Sequence, residues 1–101
     1  MAAPIITPEE RQAALNKALE SRRKRAQLRE DLKAGKLTLE EVLDMRDDEA
    51  IGRMRASALL ESLPGIGATR AAKLMERAGI APSRRVRGIG SKQREKLLEL
   101  L

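Results

Sequence analysis

The residues best equipped to hold a ligand run Leu60-Glu61-Ser62-Leu63-Pro64-Gly65-Ile66-Gly67-Ala68-Thr69-Arg70-Ala71. Gly65 and Gly67 allow a turn too tight for a Cβ, and they let an anion come close to the backbone. Free N–H groups of this turn and of the next helix's first residues, Ala68 and Thr69, form an anion site that the helix dipole reinforces. Ile66 is expected to plug the core and fix the turn. Arg70, Lys73 and Arg77 follow at i, i+3 and i+7, on one side of that helix and away from its apolar stripe. A plain helix stop would need Pro64 and the glycines, but not the flanking apolar spacing, Ala71 or the basic face. Phosphate is the anion this pattern favours, with Pro64, Gly65, Ile66, Gly67, Ala68, Thr69, Arg70 and Lys73 as its contacts.

Part of the pattern recurs. Val86 to Leu97 aligns with Leu63 to Leu74 at an offset of 23, matching Gly, Ile, Gly, Lys and Leu. This second copy sets Gly88, Ile89 and Gly90 at a helix start, with Ser91 as the expected cap and Lys92 just inside. It lacks a full helix ahead of it, so it reads as a half-motif. Just before it, Ser83-Arg84-Arg85-Val86-Arg87 puts three guanidiniums within four residues on a turn. The planar guanidinium fork suits a phosphate, or a narrow minor groove, better than an ammonium does. Pairing with Glu76 or Glu95 would account for one of the three instead. Ser83, Arg84, Arg85, Arg87, Gly88, Gly90 and Lys92 join the candidate contacts, with Arg29 from the first helix.

Helices must position these groups. Thr7-Pro8-Glu9-Glu10 is a capping box with Pro in the first helical position. No Gly or Pro follows until Gly35, so one helix is expected from Pro8 to about Lys33, ended by Ala34 and Gly35. Its stretch from Ser21 to Arg25 is polar all round and should jut beyond the core. Thr38-Leu39-Glu40-Glu41 opens a short helix to about Met45, and Asp47-Asp48-Glu49 caps a brief one over Ala50–Met54. Ala56, Leu59, Leu60 and Leu63 form the stripe of an amphipathic helix. The next helix, Ala68 to Ala78, turns Ala71, Leu74, Met75 and Ala78 inward and stops at Gly79. Pro82-Ser83 begins a turn through Arg87, and a last helix carries Leu97, Leu98 and Leu101. No useful alternation of period two appears, so the fold class is all-α, without strands.

Composition narrows the chemistry. The 101 residues carry 21 Lys and Arg against 15 Asp and Glu, a net charge of +6 that favours a polyanionic partner. Cys, His, Phe, Tyr and Trp are all absent. That removes zinc fingers, thiol and imidazole catalysis, disulfides, and the base stacking used by single-strand binders. No segment is long and apolar enough for a membrane span, and residues 1–8 do not read as a leader, so a cytoplasmic protein is expected. Charge is unevenly spread: residues 11–33 hold eight basic and three acidic side chains, while 38–49 hold six acidic and one basic. The acidic stretch reads as a solvated face that repels polyanions, in preference to a metal site at Asp44, Asp47 and Asp48.

The chain resembles the actinobacterial integration host factors along nearly its whole length. The likeness is carried by Thr7 to Arg11, the Arg-rich first helix, Ile51 to Met54, Ser57 to Pro64 and Ser83 to Gly88. With the flexible tail at 1–7 that Pro4 and Pro8 suggest and the long basic helix at 8–35, it leaves a compact helical DNA-binding domain at 36–101. Within that domain it implies a helix-two-turns-helix element at 56–78, the hairpin type shared with helix-hairpin-helix modules. A lid over the DNA is implied at 81–93. The implied function is a nucleoid-associated protein that binds and bends duplex DNA with little sequence preference, supporting chromosome organisation and site-specific recombination. A monomer in solution is expected, with no enzyme activity, cofactor, metal, membrane or small-molecule substrate. A ribosomal or structured-RNA-binding protein using the same element is the main alternative, and RNA binding is otherwise expected to be weaker. A repair lyase is disfavoured because no aromatic side chain can stack on a flipped base.

Overall fold

The structure, a computed structural model, describes residues 7–101 as six α-helices and one 3-10 turn. In order they are α1 Pro8–Lys33, α2 Leu39–Asp44, α3 Glu49–Gly52, α4 Ala56–Glu61 and α5 Ala68–Ala78, then the 3-10 turn Val86–Gly88 and α6 Ser91–Leu100. The tail expected over residues 1–7 lies outside the described residues except for Thr7, which caps α1. No strand occurs among the described residues; one isolated antiparallel bridge joins Arg55 to Arg85.

Both expected capping boxes form. Thr7 Oγ1 accepts the Glu10 N–H at 3.1 Å and Thr38 Oγ1 accepts that of Glu41 at 3.2 Å, while each glutamate accepts its threonine's N–H in return. The 26-residue α1 is therefore about 39 Å long. Only Leu28 and Leu32 of it are buried. The molecule is elongated as a result: its radius of gyration is 16.0 Å, against about 13 Å for a compact chain of this length.

The segment of α1 that projects is not the one expected. Pro8 to Glu20 is exposed throughout, although Ala14, Lys17 and Ala18 line, with the half-buried Ser21 and Arg25, a cleft shared with Glu49, Ala50 and Arg53 of the α3 region. Polarity all round misled because the neighbour here is itself charged. Lys17 pairs with Glu49 at 3.1 Å, and Lys24 pairs with Asp48. Asp48 also caps α3 by accepting the N–H groups of Ala50 and Ile51.

The acidic stretch is accordingly more than a solvated face. Besides Asp48 and Glu49, its Asp44 takes Arg94 at 2.7 Å, with Glu40 at 3.8 Å from the same guanidinium, so α2 is bound to α6. Its one basic residue, Arg46, donates to the Ile89 carbonyl at 2.9 Å. Among the described residues no cluster of three possible metal-binding side chains forms, and no helix is long and apolar enough to cross a membrane.

The core is aliphatic and contributed by every helix, with Leu32, Leu43, Ile51, Leu59, Leu60 and Leu97 among its most enclosed side chains. Four expectations need correction. Leu63 is half-buried, and Leu101 is 47% exposed because α6 ends one residue before it. Helix α6 is capped by Gly90, not Ser91; the Gly90 N–H donates to Gln93 Oε1 at 2.9 Å. Helix α3 ends at Gly52, short of the expected Met54. A Cβ on Gly52 would collide with the Arg46 carbonyl oxygen and come within 3.2 Å of the Arg87 Cβ.

Gly52→Val should therefore cost about 1–3 kcal/mol in a denaturant titration, the range for overpacking a tight site. The α1–α3 pairs predict a pH effect. Hydrogen bonding and charge from Lys24 hold the Asp48 carboxyl below its ordinary value, and Lys17 does the same for Glu49. Groups with lowered folded-state pKa stabilise above the ordinary carboxylate range and lose that contribution as pH falls through their folded values. Spin-label distances from the start of α1 to α3 should stay narrow at pH 7 and broaden at about pH 3. An unchanged distribution would mean that these pairs do not hold the helix.

Candidate nucleic-acid interface

The hairpin between α4 and α5 is built as the sequence proposed, with one exception. Leu63 N–H bonds the Leu60 carbonyl and Ile66 N–H bonds the Leu63 carbonyl, while Ile66 is buried at 9% exposure. Gly65 has φ of +75°, a left-handed conformation that strains any side chain. Gly67 differs: φ is −94°, ψ is −176°, and a Cβ there would meet nothing within 4 Å. Its glycine is not demanded by the turn. What Gly67 leaves is an α5 N-terminus with no side-chain cap, in contrast to α1, α2 and α3. Ala68, Thr69 and Arg70 at that end are exposed, so their N–H groups open onto solvent.

The repeat is partial in three dimensions too. Ile89 is buried like Ile66, and Gly90 is an extended cap like Gly67. Gly88, however, sits in the 3-10 turn without a positive φ. Its missing side chain makes room for Arg84, whose Cδ would lie 2.8 Å from a Cβ at that position.

Backbone pairing fixes the Arg-rich turn. Ala56 N–H donates to the Arg84 carbonyl at 3.0 Å and Val86 N–H to the Met54 carbonyl at 2.8 Å, bridging Arg55 and Arg85. Residues opposed across such a bridge send their side chains to the same face, where like charges repel. Arg85 Nη1 also donates to the Arg53 carbonyl at 2.7 Å. From α1, Arg29 Nε donates to Ser62 Oγ at 3.0 Å, at the mouth of the hairpin. Arg25, Arg29, Arg53, Arg55 and Arg85 together surround a depression of about 370 Å³ over Met54 and Ala58. Arg25, Arg53 and Arg55 were missed from sequence. Their only signal was Met54-Arg55-Ala56, a buried–exposed–buried alternation too short to read as a pairing segment.

Pairing separates the cations into two sets. Lys17, Lys24, Arg53, Arg94 and Lys96 each have a carboxylate within 4.0 Å. Among the described residues, Arg29, Arg70, Lys73, Arg84, Arg85, Arg87 and Lys92 have none, and Glu76 and Glu95 pair with none of the turn's arginines. Ser83, Arg84, Arg85, Arg87 and Gly88 line a second depression that shares Arg85 with the first. Exposed guanidiniums and free N–H groups at this density form a surface for a multiply charged anion.

A family profile described as the S13-like H2TH domain matches residues 32–101. The integration host factor of Streptomyces coelicolor is 53% identical over 94 residues, covering 92% of this chain and 88% of its own. That of Mycobacterium tuberculosis is 50% identical over 100 residues, covering 98% and 95%. The chain belongs to the actinobacterial integration host factor family. A solved structure of sIHF bound to an 8bp palindromic DNA superposes with a TM-score of 0.81 at 48% identity, covering 84% of this chain and 97% of that one. The helical architecture and the long first helix are thus those of an integration host factor.

The two hairpin glycines should separate in stability. Gly65→Ala should cost about 1–2 kcal/mol, since its φ is left-handed. Gly67→Ala should cost less, about 0.5–1 kcal/mol, the scale of a cap change in an extended conformation. Equal losses in thermal unfolding would contradict the two conformations described.

Proposed function

We propose that this protein is an architectural DNA-binding protein of the nucleoid, holding duplex DNA by its phosphates with little regard to sequence and bending it. The carrying observation is the separation of cations. Among the described residues, the acidic side chains pair with Lys17, Lys24, Arg53, Arg94 and Lys96, and leave without a carboxylate the cations of the hairpin, α5 and the Arg-rich turn, as they do Arg11 and Arg22 of α1. The DNA-bound neighbour and the relatives named integration host factor support the same partner.

In this reading Pro64 to Thr69 present the free N–H groups to one phosphate, with Arg70 and Lys73 beside it. Ser83, Arg84, Arg85, Arg87 and Gly88 hold a second point, and Gly90 and Lys92 extend it along the start of α6. Arg29 lies between, joined by Arg25 and Arg55. The 11-residue α5 separates hairpin and turn by up to about 16 Å. Two fixed points on one duplex impose a curvature that neither imposes alone, favouring flexible pyrimidine–purine steps. Bent DNA of this kind serves chromosome compaction and recombination.

Roughly four to eight phosphate contacts should give a log–log salt slope of about −4 to −7. A slope shallower than about −2 would place binding elsewhere, and preference for duplex RNA over duplex DNA of equal length would favour the ribosomal reading. Arg84→Ala/Arg87→Ala should keep the circular dichroism spectrum and lose about 1–1.5 kcal/mol of binding per contact. Arg85→Ala should also lose some stability, since it releases the Arg53 carbonyl. Energy transfer on end-labelled duplexes at matched occupancy should show less bending for the double variant. Parental bending would remove the Arg-rich turn from the mechanism.

A further inference from the structure

Two features lie outside the proposed DNA face, apart from Ala68, where the second of them meets the hairpin. The first is the projecting half of α1, where Leu15 is 54% and Leu19 is 47% exposed, two of four such large apolar side chains among the described residues. At i and i+4 they share one face, with Arg11 four residues before and Arg22 three residues after. Neither arginine has a carboxylate within 4.0 Å among the described residues. The second is a groove of about 790 Å³ along α4 and α5, floored by Met75 and Ile80 and flanked by Ala68 and Ala72. Its charged lining residues are Glu61 and Glu76, and neither pairs with a cation among the described residues. In a chain of net charge +6, an apolar groove lined by free carboxylates rejects DNA and selects a cationic apolar helix.

We propose that the projecting half of α1 from one copy seats in the α4–α5 groove of a second copy, linking molecules head to tail. Leu15 and Leu19 are the anchors, as in other helix-in-groove contacts. Arg11 and Arg22, about 16 Å apart along α1, meet Glu61 and Glu76. A molecule's own α1 cannot supply this helix, because α1 is unbroken and lies on α3 through Lys17 and Lys24. Pairing one α1 stripe with another is disfavoured. An antiparallel match of Leu15 with Leu19 sets Arg11 against Arg23, and a parallel one sets each arginine against itself. Arm and groove lie on different elements, so the contact is heterologous and propagates as an open chain. It is small, so molecules stay separate when dilute and associate when a shared duplex concentrates them.

The test is made without DNA, so its result is independent of the DNA-binding proposal. Sedimentation velocity up to about 1 mM should show the parent growing beyond a dimer. The arm variant Leu15→Glu/Leu19→Glu and the groove variant Glu61→Lys/Glu76→Lys should each remain monomeric while keeping the parental circular dichroism. Mixed in equal amounts they should form a dimer and stop there, because one intact arm and one intact groove remain. A parent that stays monomeric throughout, a groove variant that associates as the parent does, or a mixture that fails to pair would each overturn the proposal.

Discussion

Two backbone hydrogen bonds, Ala56 to Arg84 and Val86 to Met54, hold the candidate face in place. Without them residues 80–90 would be a loop carrying mobile arginines. With them, Arg55 and Arg85 are held opposite each other, and Arg84, Val86 and Arg87 take fixed places beside α3 and α4. The neighbouring packing is arranged around this joint. Gly52 is bare because Arg87 and the Arg46 carbonyl crowd it, and Gly88 is bare because the Arg84 stem crosses it. Arg46 and Gln93 close the region from below by donating to the Ile89 and Gly79 carbonyls.

Holding like charges opposite each other is unfavourable in the free protein. An anion across the face removes that repulsion, so part of the binding energy comes from relief of a stress the fold imposes. The same logic explains the separation of cations. Glu40 lies beside Leu63, Pro64 and Ile66 of the hairpin, yet the cation it meets is Arg94 of α6, at 3.8 Å. With Asp44, Asp48 and Glu49 it binds Lys17, Lys24 and Arg94, and so joins α1 and α6 to the body. Such exposed pairs contribute little each, on the order of 0–1 kcal/mol. Their larger effect is to fix how α1 and α6 lie on the body.

Local signals in the sequence served for the long helices and their caps, though not for the Ser91 cap or the end of α3. Both Thr capping boxes, the bounds of α1 and α5, the left-handed Gly65 and the inward set Ala71, Leu74, Met75 and Ala78 follow from near-neighbour geometry that a single segment contains. Contacts between distant segments left no trace there. Nothing near Arg55 announces Arg85, and nothing near Ser62 announces Arg29, so the Arg-lined depression was legible only at its two ends. Gly67 misled for a related reason. A Gly-Ile-Gly string suggests two special backbone conformations, yet only Gly65 bends, and Gly67 serves by lacking a capping side chain.

The absence of aromatic side chains ties the core to the mode of recognition. An aliphatic core can be closed by small helices turning on glycines, and the same glycines free the N–H groups at the start of α5. A surface of N–H groups and guanidiniums on rigid turns registers where phosphates lie, and base identity scarcely enters. Positions of phosphates depend on groove width and curvature. On the proposed function, a protein built this way would distinguish DNA by shape and by how readily it bends, with the spacing set by α5 as the dimension against which that shape is measured.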